Sequence, residues 1–213
     1  MNTQQCESKA NLNDTIESIL ADGRDVRNKI ATLISQKAEK YQLNKQGLVA
    51  LTQTTMDEAR AVLEKSLPHD PDAALRQVVD GLGDGLSTAV LASRLTFEEA
   101  RAHQRAYAEE DLTTLSHDLR TLGELFVDTV SKAAGKFKNA TAAEVGAFRS
   151  HAEKTAKRLL PSIRTTLATI AEHPLQLGKE TIETGMNIST QAVGALFTAI
   201  GQRINDASQR LSR

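Results

Sequence analysis

Residues 112–137 read LTTLSHDLRTLGELFVDTVSKAAGKF. Leu112, Leu115, Leu119, Leu122, Phe126, Val130, Ala133 and Phe137 step by three and four along it. That spacing puts every apolar side chain on one stripe of an α-helix, and no strand-like alternation competes with it. Just upstream, Thr96-Phe97-Glu98-Glu99 has the form of a capping box, with Thr96 as N-cap and Glu99 at N3. Read together, these features predict one long helix from Thr96 to about Lys138. Its forty-odd residues would extend ~60 Å at 1.5 Å per residue, which exceeds a compact globule and predicts an elongated bundle.

The same pattern continues on both sides. Thr141-Ala142-Ala143-Glu144 is a second capping box, placed just after a hairpin. The helix it opens carries Val145, Phe148, Ala152, Ala156, Leu159, Ile163, Leu167 and Ile170, with Pro161 expected to kink it. Pro174 then begins a sixth helix with Ile182, Met186, Val193, Leu196, Ile200, Ile204 and Leu211 in phase. Towards the N-terminus a first helix is expected over Asn13–Tyr41. Its seam is Leu12, Ile16, Ile19, Val26, Ile30 and Leu33, with Gly23 filling one place. A second helix, Lys45–Leu67, carries Leu48, Leu51, Met56, Ala59 and Leu63. Asp70 caps a third at Pro71, with Leu75, Val78, Val79, Leu82, Leu86, Ala89 and Val90 in phase. The fold class is therefore all-α: an elongated antiparallel bundle of about six amphipathic helices, the longest in the C-terminal half. The expected organisation is a flexible N-terminus at 1–12, a three-helix region at 13–95 and a long three-helix bundle at 96–213.

Composition agrees. The chain has 213 residues, 40% of them hydrophobic and 25% charged, with a net charge of −1. Aromatics make up only 3%, so packing rests on Ala, Leu, Val and Ile. The single cysteine, Cys6, excludes an internal disulfide and a cysteine-rich metal site. The polar N-terminus has no apolar core of a signal peptide, and a cytoplasmic protein is the default expectation.

Little in the sequence points to catalysis. The GLGDG run at 81–85 follows a helical pattern, lacks the GxGxxG spacing and has no GK[ST] after it, so it reads as a flexible or closely packed point in a helix. None of His69, His103, His117, His151 and His173 has a Glu three residues before it, as a di-iron bundle would need, and HExxH is absent. Glu99 and His103 can face each other as an ordinary i,i+4 contact. Glu109, Glu110 and Asp111 with His117, Asp118 and Glu124 form the best acid–base stripe, and Tyr107 offers a similar seam. Thr113, Thr114 and Arg120 border it, which is the pattern of a wet helix face. No catalytic, cofactor-binding or metal-binding residue is assigned, and no cofactor is expected.

Charge is segregated. Residues 96–130 carry a net −5 and residues 131–164 a net +6. Lys132, Lys136, Lys138, Arg149, Lys154, Lys157, Arg158 and Arg164 thus lie around one hairpin and its returning arm. Two readings stand. The arm meets an anionic partner, or it lies beside acidic residues of another helix or another copy.

Residues 184–202, TGMNISTQAVGALFTAIGQ, carry no charge at all. Seven of them are Thr, Asn, Ser or Gln and three are Gly, which is too polar for a membrane span of ~20 apolar residues. Gly178 and Gly185, and Gly194 and Gly201, are seven apart, placing small residues at one edge of the seam. This reads as a contact helix that packs within the chain, between copies or on a surface.

Over roughly 97–213, including AVGALFTAIG at 192–201, the chain resembles in style the phasins that coat bacterial polyester granules, and the exchangeable apolipoproteins. The likeness lies in composition and helix pattern, so it transfers no site residue. It implies a non-enzymatic helical protein acting by helix packing, self-association or coiled-coil contact with another helical protein, or by coating a lipid or granule surface. The alternative is a regulator or scaffold that binds a protein, or less readily nucleic acid, through the 131–164 arm.

Overall fold

The computed structural model describes residues 3–38, 45–66, 70–102, 109–138 and 141–172. The described residues form six α-helices and no strand. They are α1 (Thr3–Asp22), α2 (Val26–Ala38), α3 (Lys45–Ser66), α4 (Pro71–Ala102), α5 (Glu109–Ala134) and α6 (Ala142–Ala171). The all-α bundle is thus as expected.

Two layers make the bundle. Helices α1, α3 and α5 lie side by side in one layer, and α2, α4 and α6 in the other. Neighbours within a layer advance together. Gly81 approaches Arg27 while Gly85 approaches Ala31 and Ile34, so α2 and α4 run parallel. Ser87 meets Ser162 and Val90 meets Thr166, so α4 and α6 do the same. In the other layer Leu48 and Thr52 of α3 lie near Leu122 and Thr129 of α5, and Asp57 meets Lys136 further along. Between layers, α5 and α6 form an antiparallel hairpin, closed by the turn bonds Lys136 N–H to Ala133 O and Phe137 N–H to Ala134 O. Thr141 and Glu144 make the reciprocal bonds of the expected capping box at the start of α6.

The apolar seams converge on one core. Leu12 and Ile16 of α1, Ile30 and Ile34 of α2, Leu51 and Met56 of α3, Leu82 and Leu86 of α4, and Leu119, Leu122 and Phe126 of α5 are all fully buried. Ala152, Leu159 and Ile163 of α6 join the same cluster. A fully buried aliphatic side chain contributes about 1.5–3 kcal/mol, so these seams dominate the stability.

Three boundaries differ from expectation, each for a physical reason. The expected first helix is two. Gly23 and Asp25 adopt φ of 65° and 54°, left-handed values that end α1 and turn the chain into α2. The Gly23 N–H closes α1 on Ile19 O, and Asn28 bonds the Asp25 carboxylate. The N-terminal residues from Thr3 belong to α1, where a flexible stretch at 1–12 was expected. Thr96 is not an N-cap. Its hydroxyl bonds back to Ala92 O inside α4, and Phe97 is buried as the next turn of the α4 seam. A Thr-x-x-Glu sequence suits a helix interior equally well when the hydroxyl finds the i−4 carbonyl. The division expected at 95/96 therefore falls within a continuous helix. Pro161 lies inside α6, which continues to Ala171. That proline stands on the exposed side of the helix.

The GLGDG run is a packing device. A Cβ added at Gly81 would lie 2.5 Å from Arg27 O and 2.8 Å from the Ile30 Cβ, and one at Gly85 would lie 2.6 Å from the Ile34 Cβ. On the other side of α4, a Cβ at Gly83 would collide with Thr155 Cγ2. Gly81→Val should therefore lower stability by about 2–3 kcal/mol in urea unfolding, the usual scale of overpacking. Gly146→Ala should do the opposite. Nothing lies within 4 Å of its added carbon. Inside α6, alanine should gain about 0.5–1 kcal/mol over glycine. Equal, small effects at both positions would refute the close crossing of α2 and α4.

Candidate interaction surface

The eight bases of the 131–164 arm divide in two. Four are paired through their side chains within the chain, and a fifth, Lys138, is held by its main chain. Lys136 Nζ lies 3.0 Å from Asp57 of α3, tying the α5–α6 turn to that helix. Arg158 bonds Asp80 of α4. Lys132 pairs with Asp128 at 2.6 Å and Arg149 with Glu153 at 3.3 Å, each one turn away on its own helix. Lys138 donates its main-chain N–H to Glu64. That bond holds the Glu64 carboxyl below its ordinary value, against some burial and with help from the charges of Arg60 and Lys138. Internal complementarity thus accounts for much of the segregated charge. Lys154, Lys157 and Arg164 are different. They are exposed on α6, without an acidic partner among the described residues. Their spacing places them on the outward side of the helix, spread over ~15 Å.

On the same outer side of the bundle, α4 presents apolar side chains. Its inward positions fill the core, Gly81 and Gly85 face α2, and Gly83 and Ser87 face α6. Asp84, Thr88, Leu91 and Leu95 are left to face outward. Leu91 is 38% and Leu95 57% exposed. Both sit off the phase of the buried seam, which is the signal that marks them. Asp84 on that side is committed to Arg27 at 2.6 Å, and the exposed Glu98 and Glu153 pair with Arg94 and Arg149.

Asp80 is the second feature that sequence reasoning missed. It is an acid within the Val78-Val79-Asp80 run, and its side chain is only 17% exposed. Its Oδ1 accepts from Thr155 at 2.9 Å and from Arg158, and His151 Nε2 lies 3.1 Å away. Burial works to raise this carboxyl. The bonds from Arg158 and Thr155, and the charges of His151 and Arg158, outweigh it, and Asp80 titrates below its ordinary value. The cluster joins α4 to α6. It is no catalytic relay, because Thr155 and His151 both address the carboxylate and not each other.

Of the other candidates, His117 and Glu124 are exposed on α5, seven residues apart, and Asp118 is buried. No group of three potential metal-ligating side chains occurs among the described residues. His69, His103, Tyr107, His173 and the contact glycines Gly178, Gly185, Gly194 and Gly201 lie outside the described residues. A cleft of about 280 Å³ opens at the end of the bundle, with Leu63, Leu75, Phe137, Val145 and Phe148 in its wall. Of the acids at its rim, Glu64 and Glu144 are already bonded to main-chain N–H groups. No described helix is long and apolar enough to cross a membrane.

Asp80→Ala should cost about 2 kcal/mol in urea unfolding at neutral pH, the scale of hydrogen bonds to a charged group. The sign of the pH dependence follows from its lowered value. The folded state binds the proton less readily than the unfolded chain, so the stabilisation is full above the ordinary carboxylate value of 3.8. It disappears as pH falls through the lower folded value, and the gap between wild type and variant should close there. A gap that persists in strong acid would contradict the assignment.

No curated protein and no solved structure matches the chain in a search of either set. Residues 1–205 match the family of unknown function DUF6781, and the chain belongs to that family.

Proposed function

We propose that this is a non-enzymatic helical interaction protein, acting by helix packing and by peripheral association with an anionic surface such as lipid headgroups or a coated granule. The outward side of α4 and α6 is its contact face. One observation carries the reading: Leu91 and Leu95 stand exposed on the same side as Lys154, Lys157 and Arg164, three bases with no acidic partner among the described residues. Each such base near an anionic leaflet adds about 1 kcal/mol of attraction, and partial burial of the leucines adds to it. The expected association is therefore weak, reversible and sensitive to salt. The reading places the protein at the cytoplasmic side of such a surface and allows it to self-associate there.

The protein should co-sediment with phosphatidylglycerol vesicles and not with pure phosphatidylcholine vesicles, and added salt should release it. Reversing Lys154, Lys157 and Arg164 to Glu should abolish binding, and Leu91→Ser with Leu95→Ser should weaken it, both without loss of helix content. A protein that stays in the supernatant with both vesicles, as a monomer, would sink the proposal. Retention on an acidic protein or an oligonucleotide, lost on the same charge reversal, would instead favour a scaffold working through the basic arm. That alternative is the weaker one, because Lys136 and Arg158 are already committed to Asp57 and Asp80.

A further inference from the structure

The turn between α1 and α2 interrupts a seam that the sequence continues. Leu12, Ile16, Ile19, Gly23, Val26, Ile30 and Leu33 step by four and three in strict alternation. That is a heptad seam, in phase straight through the break. The chain nevertheless folds back at Gly23-Arg24-Asp25, because one cleft is lined by Thr15 and Ile19 of α1 and by Asn28, Thr32 and Gln36 of α2. On a straight helix Thr15 and Gln36 would stand ~30 Å apart. The reversal is costly in two ways. Asp25 holds a left-handed φ of 54°, which a residue with a Cβ adopts at a loss. Breaking the helix also forgoes roughly four main-chain hydrogen bonds. Gly23 favours the turn, since its φ of 65° is unstrained for glycine. So does Asp22, whose carboxylate accepts from Lys29 and Arg24 across the joint.

We propose that this joint is a bistable hinge: α1 and α2 straighten into one helix in an exchanged dimer, where each copy's α1 takes the place of the other's against α3. Three observations carry it. The first is the division of contacts. α1 rests chiefly on α3 and α2 on α4, so α2 keeps its close crossing at Gly81 and Gly85 while α1 swings away. The second is what the swing would bare. Leu12 and Ile16 are fully buried, and so is Leu51 of α3. Only a segment of the same shape covers both sides, and a second copy supplies it. The exchange restores every α1 contact, so the balance between the two states rests on the hinge and on protein concentration. The third is the hinge itself. In the straight form Asp25 returns to helical backbone, four residues before Lys29, the favourable order for an i,i+4 pair. Gly23 opposes straightening, because glycine is a poor helix former. A short connection under strain is the condition that invites such an exchange. Vesicle binding is assigned to α4 and α6, and the exchange to α1, α2 and α3, so the two proposals fail independently.

Gly23→Ala in the full chain tests the hinge. A Cβ there would meet nothing closer than Leu20 O at 4.0 Å, so the substitution acts through the backbone alone. Alanine is strained in the left-handed turn and favoured in the helix, which should move each hinge about thirty- to a hundredfold towards the straight form. Two hinges straighten per dimer, so the dimerisation constant from analytical ultracentrifugation should rise roughly a thousandfold or more, with helix content kept. Asp25→Gly should shift the constant the other way, because glycine suits the turn and disfavours the helix. Cross-linking then identifies the exchange. In a Cys6→Ser, Gly23→Ala background, chains bearing Thr15→Cys are refolded together with chains bearing Thr32→Cys and treated with a short bis-maleimide. The two positions line one cleft, and an exchanged α1 brings them together from different chains. The mixture should give a covalent dimer that neither kind of chain gives when refolded alone. A dimerisation constant that Gly23→Ala leaves unchanged would overturn the proposal. So would a Gly23→Ala monomer of reduced helix content, in which α1 detaches without exchanging. A dimer that yields no mixed cross-link joins through another surface and would overturn it as well.

Discussion

The distance between α2 and α4 governs the rest of this bundle. At Gly81 and Gly85 the absent side chain is the contact, because any Cβ would overlap the Arg27 and Ala31 carbonyls. Glycine in a helix interior costs about 1 kcal/mol against alanine, so two in little more than one turn are tolerated only where close packing offsets them. Gly83, between them in sequence, turns to the opposite flank and lets Thr155 of α6 approach in the same way. One short run thus makes α4 the central helix of its layer. The Arg27–Asp84 pair and the Asp80 cluster then select the lengthwise register of its two neighbours.

A chain with so few aromatics must pack by proximity instead of bulk. Its close crossings let small polar side chains enter the interface. Ser87 meets Ser162 at 2.5 Å, and Thr166 bonds the Val90 carbonyl across the helix pair. Buried hydroxyls are normally expensive unless bonded. Here Thr55 and Ser93 return a bond to the carbonyl four residues back, so each is satisfied where it stands. Parallel helices gain nothing from short connecting loops, and these polar contacts supply the register instead.

Most of the fold was visible as periodicity. Every apolar seam residue from Leu12 to Leu33 is buried, although the chain breaks within that span. The break was invisible because Gly23 occupies a seam position in phase, and periodicity alone does not separate a helix from two helices sharing a core. Thr96 misled for a related reason: a capping sequence specifies an N-terminus only where the preceding residues leave the helix, and here Ala92 and Ser93 do not. Asp80 hid because an acid inside an apolar run is interpretable only once its partners are known, and these lie more than seventy positions away on α6. Leu91 and Leu95 were legible in principle, as apolar residues out of phase.

The charge segregation has a more specific meaning in three dimensions than in one. An exposed ion pair contributes about 0–1 kcal/mol, so Lys132–Asp128 and Arg149–Glu153 do little for the fold. Lys136–Asp57 and Arg158–Asp80 join different helices and orient the hairpin against α3 and α4. What remains after both kinds are set aside is the set of bases without an acidic partner among the described residues. Lys154, Lys157 and Arg164 are that remainder on α6. They sit on the same side as the two leucines that the core left out. Their coincidence on one face is what supports the contact proposed there.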